Sequence, residues 1–343
     1  MDRVASPQAG SSVWPRRLLG AAGLVLLPLF VFGGSVTTLG AGMAVQGWWN
    51  AEGHFMPLFP VEKWFRDLNT FVEHSHRQFG MVIGLLMIAA TVVTLRRDPR
   101  RSARVLVCSG LLAVCFQGFL GGSRVLENSP QLAFLHGTFA QGVFALLCAA
   151  WVHQSPAWRQ APRLASTQTH ALRKTALLAC AIVYVQIALG AWYRHTLRTG
   201  LAGEALGRLG LHLVGAFVTF GATLLLAARF QATLAGLPQS PAIPATLLSI
   251  PARLRLLLGV QFALGFLAFG LHGSGAPGQV QVAEWAMATL HVLVGAMLLA
   301  QVVMASMWSW RAFQAEPSPL ANAEAGSSQA WSSGAGAQPR SAP

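Results

Sequence analysis

Four histidines occupy corresponding places in a very apolar chain. His76, His136, His212 and His291 each fall near the beginning of a long hydrophobic run. Four residues further on, each run has a small residue: Gly80, Ala140, Ala216 and Gly295. In a helix, positions i and i+4 share a face, so a small residue one turn from each imidazole leaves room for a flat group against the helix. Neutral imidazole ligates haem iron well, and a bundle of apolar helices supplies the slot. A single histidine in such a run reads more plainly as a polar residue bonded to a neighbouring helix. Four at matching positions point to ligation, because ionisable groups in apolar spans are costly and usually functional. No cysteine or second carboxylate joins these histidines, which disfavours zinc.

The run Glu73-His74-Ser75-His76-Arg77 adds a carboxylate beside the first histidine. Glu73, His76 and Arg77 share one helical face, as i, i+3 and i+4. A carboxylate so placed can take a proton from, or stabilise positive charge on, whatever His76 holds. It can equally form an ion pair with Arg77 that anchors a helix end, and the residues alone leave both readings open. Arg77, Arg124, Arg194 and Arg198 are candidate contacts for the acidic edge of a bound group, or else solvated loop charges. His74 points well away from His76 on the helix. His54, His195 and His272 belong to the same side of the chain as the four, and His153 and His170 to the opposite side.

The elements that must carry these residues follow from composition. Of 343 residues, 54% are hydrophobic and 10% are charged; a soluble chain carries about 25% charged residues. Eight runs are long enough to cross a bilayer: Leu18–Val36, Phe71–Leu95, Val105–Gly121, Leu132–Val152, Ala171–Trp192, Leu209–Ala228, Leu254–Leu271 and Val282–Trp308. This predicts an all-α integral membrane protein of eight transmembrane helices. The net charge of +13 does not signal nucleic-acid binding, because 17 of the 24 basic residues lie in the tails and loops on one side of the spans. By the positive-inside rule both termini are then cytoplasmic. Cys108, Cys115, Cys148 and Cys180 all lie in apolar runs with no CxxC spacing, and read as small buried hydrophobes. The long outer loop, from about Thr37 to Asn69, carries Trp48, Trp49 and Trp64, residues suited to a membrane interface.

An internal repeat organises the spans. The third, fifth and seventh read Gln117-Gly118-Phe119-Leu120-Gly121, Gln186-Ile187-Ala188-Leu189-Gly190 and Gln261-Phe262-Ala263-Leu264-Gly265. The sixth and eighth share Leu-His followed by Val-Gly-Ala. We expect two pseudo-symmetric four-helix bundles of like orientation. Residues 1–17 would form an N-terminal tail, 18–152 the first half, 153–170 a cytoplasmic linker, 171–312 the second half and 313–343 a disordered tail.

Taken together, these residues resemble the haem A synthase family. The resemblance rests on Glu73-x-x-His76-Arg77, on the upstream run Gly33-Gly34-Ser35-Val36-Thr37-Thr38-Leu39-Gly40-Ala41-Gly42-Met43-Ala44-Val45, on Gln186-x-x-Leu189-Gly190-Ala191-x-x-Arg194-His195-Thr196, and on the histidines of spans four, six and eight. It implies an oxidoreductase of a bacterial-type cytoplasmic membrane that converts the ring D methyl of haem O to the formyl group of haem A by successive hydroxylation, with water-derived oxygen, for cytochrome oxidase. It also implies that His76 and His136 hold the substrate haem, that Glu73 is the catalytic carboxylate, and that His212 and His291 hold a haem b cofactor. A haem O synthase would act upstream; the membrane electron acceptor and any homo-oligomeric state are not specified. The chain departs from some family members in having no cysteine pair in the first outer loop, and Gln46-Gly47-Trp48-Trp49 follows the glycine-rich run where Asp-Trp-Pro is common. A di-haem membrane cytochrome that only relays electrons accounts for the four histidines equally well but gives Glu73 no role. A transporter fits the parallel repeats, but no histidine-bearing span has a strong break at its middle.

Overall fold

Apolar runs that must satisfy their own backbone hydrogen bonds away from water become helices. A computed structural model describes residues 12–196, 202–237, 243–272 and 282–315 of the chain. Eight long helices dominate it: α1 Trp14–Leu39, α2 Leu68–Arg97, α3 Arg101–Leu126, α4 Pro130–His153, α5 Thr169–Thr196, α6 Ala202–Ala235, α7 Ile250–Leu271 and α8 Val282–Ala312. All eight are long and apolar enough to cross a membrane, and the protein is a multi-pass helical membrane protein. The helices run past the hydropathic segments at most ends, because hydrogen bonding carries the helix into polar residues that hydropathy excludes.

Local chemistry sets the ends. Asp67 caps α2 by accepting from Thr70 N at 2.8 Å, and Ser129 caps α4 by accepting from Leu132 N at 3.2 Å. Helix α1 begins with Pro15 in its first turn and stops at Gly40, whose left-handed φ of 75° lets its N–H reach the Val36 carbonyl.

Helix α1 packs on α2 and α4, and α3 also packs on α2 and α4, closing a ring of four. Helices α5, α6, α7 and α8 close a second ring through the equivalent neighbours. The rings meet where α8 lies against α1 and α4, and where α4 lies against α5. Helix α8 is accordingly the most buried span and α7 the least. Large apolar side chains such as Leu112, Phe217 and Phe266 remain exposed on the outer faces of α3, α6 and α7, where lipid rather than water suits them.

The connection between α1 and α2 is a packed structure. Strands β1 (Asn50–Ala51) and β2 (His54–Phe55) form an antiparallel hairpin, and Val45, Ala51, Met56 and Phe59 make a small core with Trp64 beneath it. Gly47 has a φ of 80°, and a Cβ there would lie 2.0 Å from the Asn50 carbonyl oxygen, so glycine is required. Arg66 ties the loop together by donating to both Glu52 carboxylate oxygens (2.9 and 3.0 Å) and to the Ala44 carbonyl (3.0 Å).

The opposite, arginine-rich end is organised by Asp98, which is 5% exposed and accepts from Arg100 Nη2 at 2.7 Å. Burial works to raise the Asp98 carboxyl, but the Arg100 hydrogen bonds and charge outweigh it and hold it below the usual carboxylate range. Strand β3 (Leu164–Ala165) pairs in parallel with β4 (Phe313–Gln314). Three local features lie at the expected boundaries. The first helix begins at Trp14 and takes in the end of the expected tail 1–17; the linker 153–170 contains a short helix, Pro156–Gln160, besides β3; and Phe313 is 1% exposed in a strand rather than the start of a disordered tail. A backbone partner and a buried aromatic ring hold Phe313, features that the Ala/Ser/Gly-rich composition beyond it masks. Residues 316–343 lie outside the described residues.

Candidate functional site

Each odd-numbered helix presents a glycine to the histidine of the helix that follows. A Cβ added at Gly33 would lie 2.9 Å from His76 Cε1, and one at Gly121 would lie 2.9 Å from His136 Cε1. At Gly190 the distance to His212 Cε1 would be 2.7 Å, and at Gly265 the distance to His291 Cε1 would be 3.1 Å. At Gly33, Gly121 and Gly190 an added methyl would force the imidazole aside, and at Gly265 it would crowd it. The sequence carries the signal for this: each of these glycines lies four residues after Leu29, Gln117, Gln186 or Gln261 in the helix before a histidine. Its partner across the helix gap is not visible in sequence.

The histidines meet in two pairs. His76 and His136 have ring centres 6.2 Å apart with planes 77° to each other. His212 and His291 have ring centres 6.3 Å apart with planes 81° to each other. A metal bonded at about 2 Å to one nitrogen of each ring sets the ring centres about 6 Å apart. Among the described residues no group of three or more His, Cys, Asp or Glu could hold a bare metal ion. Each pair offers two ligands, so the remaining coordination must arrive with the metal, as it does in haem. His76 Nδ1 faces the Leu29 carbonyl at 3.2 Å, and His136 Nδ1 faces the Gln117 carbonyl at 3.2 Å. A carbonyl that accepts the Nδ1 proton leaves Nε2 as the ligating nitrogen. His76 and His136 therefore fit a haem held through Nε2, and the second pair shares their ring spacing.

The surroundings of the two pairs differ. Glu73 is 1% exposed; its Oε2 accepts from Val45 N at 2.9 Å and its Oε1 from Arg77 Nη2 at 2.7 Å. Arg77 also donates to the Val45 and Gly47 carbonyls, both at 2.8 Å. The Glu73–Arg77 pair thus clamps the start of the α1–α2 loop beside the first histidine pair. The same loop covers the first half: Trp48 lies over Gly122, next to Gly121, and the Arg124 guanidinium lies against Gly42. Arg124 is within charge-interaction range of both His76 and His136.

Arg194 reaches from α5 to α1, donating to the Gly34 carbonyl at 2.9 Å and to the Thr38 hydroxyl. Arg198 lies outside the described residues. His195 packs on Phe134, and His272 faces the Glu284 carboxylate at 3.0 Å. His74 is fully buried between Phe59 and Trp64, with Gln78 Nε2 2.8 Å from its Nε2, so it braces the loop. His153 and His170 stand at the arginine-rich ends of α4 and α5. A cavity of about 300 Å³ between α1, α4, α7 and α8, lined by Arg16, Trp151, Gln301 and Trp308, also lies at that end, remote from the imidazoles.

An eight-helix membrane protein with two facing histidine pairs has an architecture that could hold haem. Comparison with known proteins makes that specific. The sequence pattern of the COX15-CtaA family, described as cytochrome oxidase assembly protein, matches residues 16–206, and the chain belongs to that family. It is also similar to the protein named Heme A synthase of Shouchella clausii (strain KSM-K16), at 28% identity over 188 residues. That alignment covers 53% of this chain and 59% of the relative, so the chain spans less than two thirds of the relative's length. The family match includes His76, His136 and Glu73 and ends before His212 and His291.

Proposed function

We propose that the protein is a haem A synthase, oxidising the ring D methyl of haem O to a formyl group for cytochrome oxidase. The observation that carries the reading is the pair of facing histidines at 6.2 Å beside the buried Glu73, in a chain of a cytochrome oxidase assembly family. His76 and His136 hold the substrate haem by its iron, with Gly33 and Gly121 giving the rings room. Glu73 is the carboxylate for proton transfer at the reacting methyl. Val45 N and Arg77 Nη2 hold it in place by donating to its two carboxylate oxygens at 2.9 and 2.7 Å. The α1–α2 loop closes the site from water. His212 and His291 would hold a haem b, which would supply one-electron redox chemistry when bound. Two hydroxylations with water-derived oxygen, each releasing two protons and passing two electrons to a membrane acceptor, then loss of water from the gem-diol, give the aldehyde. The protein sits in a bacterial-type cytoplasmic membrane with both termini inside, downstream of a haem O synthase.

The test is to express the chain with a haem O synthase in cells that make no haem A and to separate the extracted haems. Haem A, or its hydroxylated precursor, is expected. Haem O left unchanged beside well-expressed, haem-loaded protein would overturn the reading in favour of an electron-transferring di-haem cytochrome.

A further inference from the structure

At three of the four histidine stations a glutamine lays its side-chain amide on the ligand residue. Gln117 Nε2 donates to the His136 carbonyl at 3.0 Å and lies 3.0 Å from that ring's Nδ1. Gln186 Nε2 donates to the His212 carbonyl at 2.8 Å and lies 3.0 Å from its Nδ1. Gln261 Nε2 lies 3.2 Å from His291 Nε2. At the fourth station Leu29 stands in the equivalent place and offers His76 only its backbone carbonyl.

Two of these amides bond across the helix gap and reach the imidazole as well. The Oε1 atoms of Gln117, Gln186 and Gln261 are all buried with no hydrogen-bond partner among the described residues. A buried unpaired carbonyl costs about 1–3 kcal/mol, so stability alone does not account for three of them at the same place. An amide on one ring nitrogen restrains the imidazole and leaves the other nitrogen for a metal, Nε2 at His136 and His212 and Nδ1 at His291, which has no partner among the described residues. Leucine offers no such restraint. In the second half the opposing helix is also shaped for the amide. A Cβ at Gly215 would lie 2.2 Å from Gln186 Oε1, and one at Gly295 would lie 3.2 Å from Gln261 Nε2. In the first half a Cβ at Gly80 would meet nothing within 4 Å.

We propose that Gln117, Gln186 and Gln261 are positioning residues that lock three of the four imidazoles, and that His76, opposite Leu29, is the ligand built to let go. The His76–His136 pair is then the exchanging site and the His212–His291 pair the retaining one. This rests on the reading of both pairs as haem ligands, and adds which ligand moves and what sets its mobility.

The experiment loads the purified full chain in detergent with ferric haem b and follows transfer of haem to excess apomyoglobin by absorbance. His76→Ala and His212→Ala assign the fast and slow phases. Leu29→Gln is expected to slow the fast phase roughly 10-fold or more, and Gln186→Leu or Gln261→Leu to quicken the slow phase by about 10–100-fold. Leu29→Met tests bulk without an amide; slowing equal to that of Leu29→Gln would overturn the proposal. Unchanged rates in Leu29→Gln, with a low-spin bis-histidine spectrum intact, would also overturn it while leaving the ligation reading standing. That variant decides the matter even if the glutamine variants fail to fold. Absence of any low-spin spectrum in the loaded wild type would instead sink the ligation reading itself.

Discussion

The two histidine pairs are nearly the same in their inner geometry and unlike in everything around it. Ring separations of 6.2 and 6.3 Å and near-perpendicular planes recur, and each ring rests on a glycine of the preceding helix. Among the described residues, the first pair has a structured loop over it and a buried ion pair beside it, and a leucine stands where the other stations have glutamine. In the second half, by contrast, Gln186 and Gln261 contact both imidazoles. The two pairs thus share their ring geometry and differ in the side chains set around it.

The largest effects should come from the ligands. His212→Ala and His291→Ala should each abolish the low-spin haem spectrum of the second half, and His76→Ala or His136→Ala should abolish haem O conversion while leaving that spectrum in place. If all four variants lost haem together, the pairs would not be separate sites. Next comes Glu73. Glu73→Ala should lower conversion by about 10²–10⁴-fold, the range for loss of a general acid or base, and keep the second-half haem. Wild-type conversion would reduce Glu73 to a clamp on Val45 and Arg77.

A smaller effect tests the shared geometry. Alanine at Gly190, Gly121 or Gly265 adds a methyl 2.7, 2.9 or 3.1 Å from an imidazole carbon. Each should cost about 1–3 kcal/mol of stability, in that order of severity, read as thermal unfolding in detergent. Equal tolerance at all three would mean the helices spread freely and the close approach is unimportant. The smallest effect lies far from both pairs. The Asp98 carboxyl sits below the usual range, so its contribution is present at neutral pH and lost as pH falls below about 4. Asp98→Asn should lower stability at pH 7 by under about 1 kcal/mol, and its deficit should shrink in acid. A deficit that grows in acid would reverse the sign.

The spans and the histidines were legible because each is a local signal: a length of apolar residues, or an ionisable group where few are tolerated. The glutamine repeat was legible too, but its purpose was not. Gln186 and His212 are 26 residues apart, and nothing local says that one lies on the other. Gly33 was hidden further, since Leu29 breaks the repeat that would have marked its helix. Glu73 was found, yet its bond to Val45, 28 residues earlier, depends on how the α1–α2 loop folds back. Arg194 was picked out as a candidate contact for a bound group, and its hydrogen bonds to α1, which join residues 160 and 156 apart, were not visible in the sequence. Pairing across helices is a tertiary matter that periodicity does not encode.

The short β3–β4 pairing has a bearing on synthesis. Ser166 N donates to the Gln314 carbonyl at 3.0 Å, the Thr169 hydroxyl donates to the same carbonyl across 145 residues, and Arg173 donates to the Phe313 carbonyl at 2.6 Å. Phe313 and Gln314 leave the ribosome after the last span, so the segment around Leu164 has no strand partner until every helix has been made. Protease sensitivity between Gln160 and Thr169 in nascent chains should therefore persist until the eighth span inserts and then fall, a built-in timestamp of completed assembly.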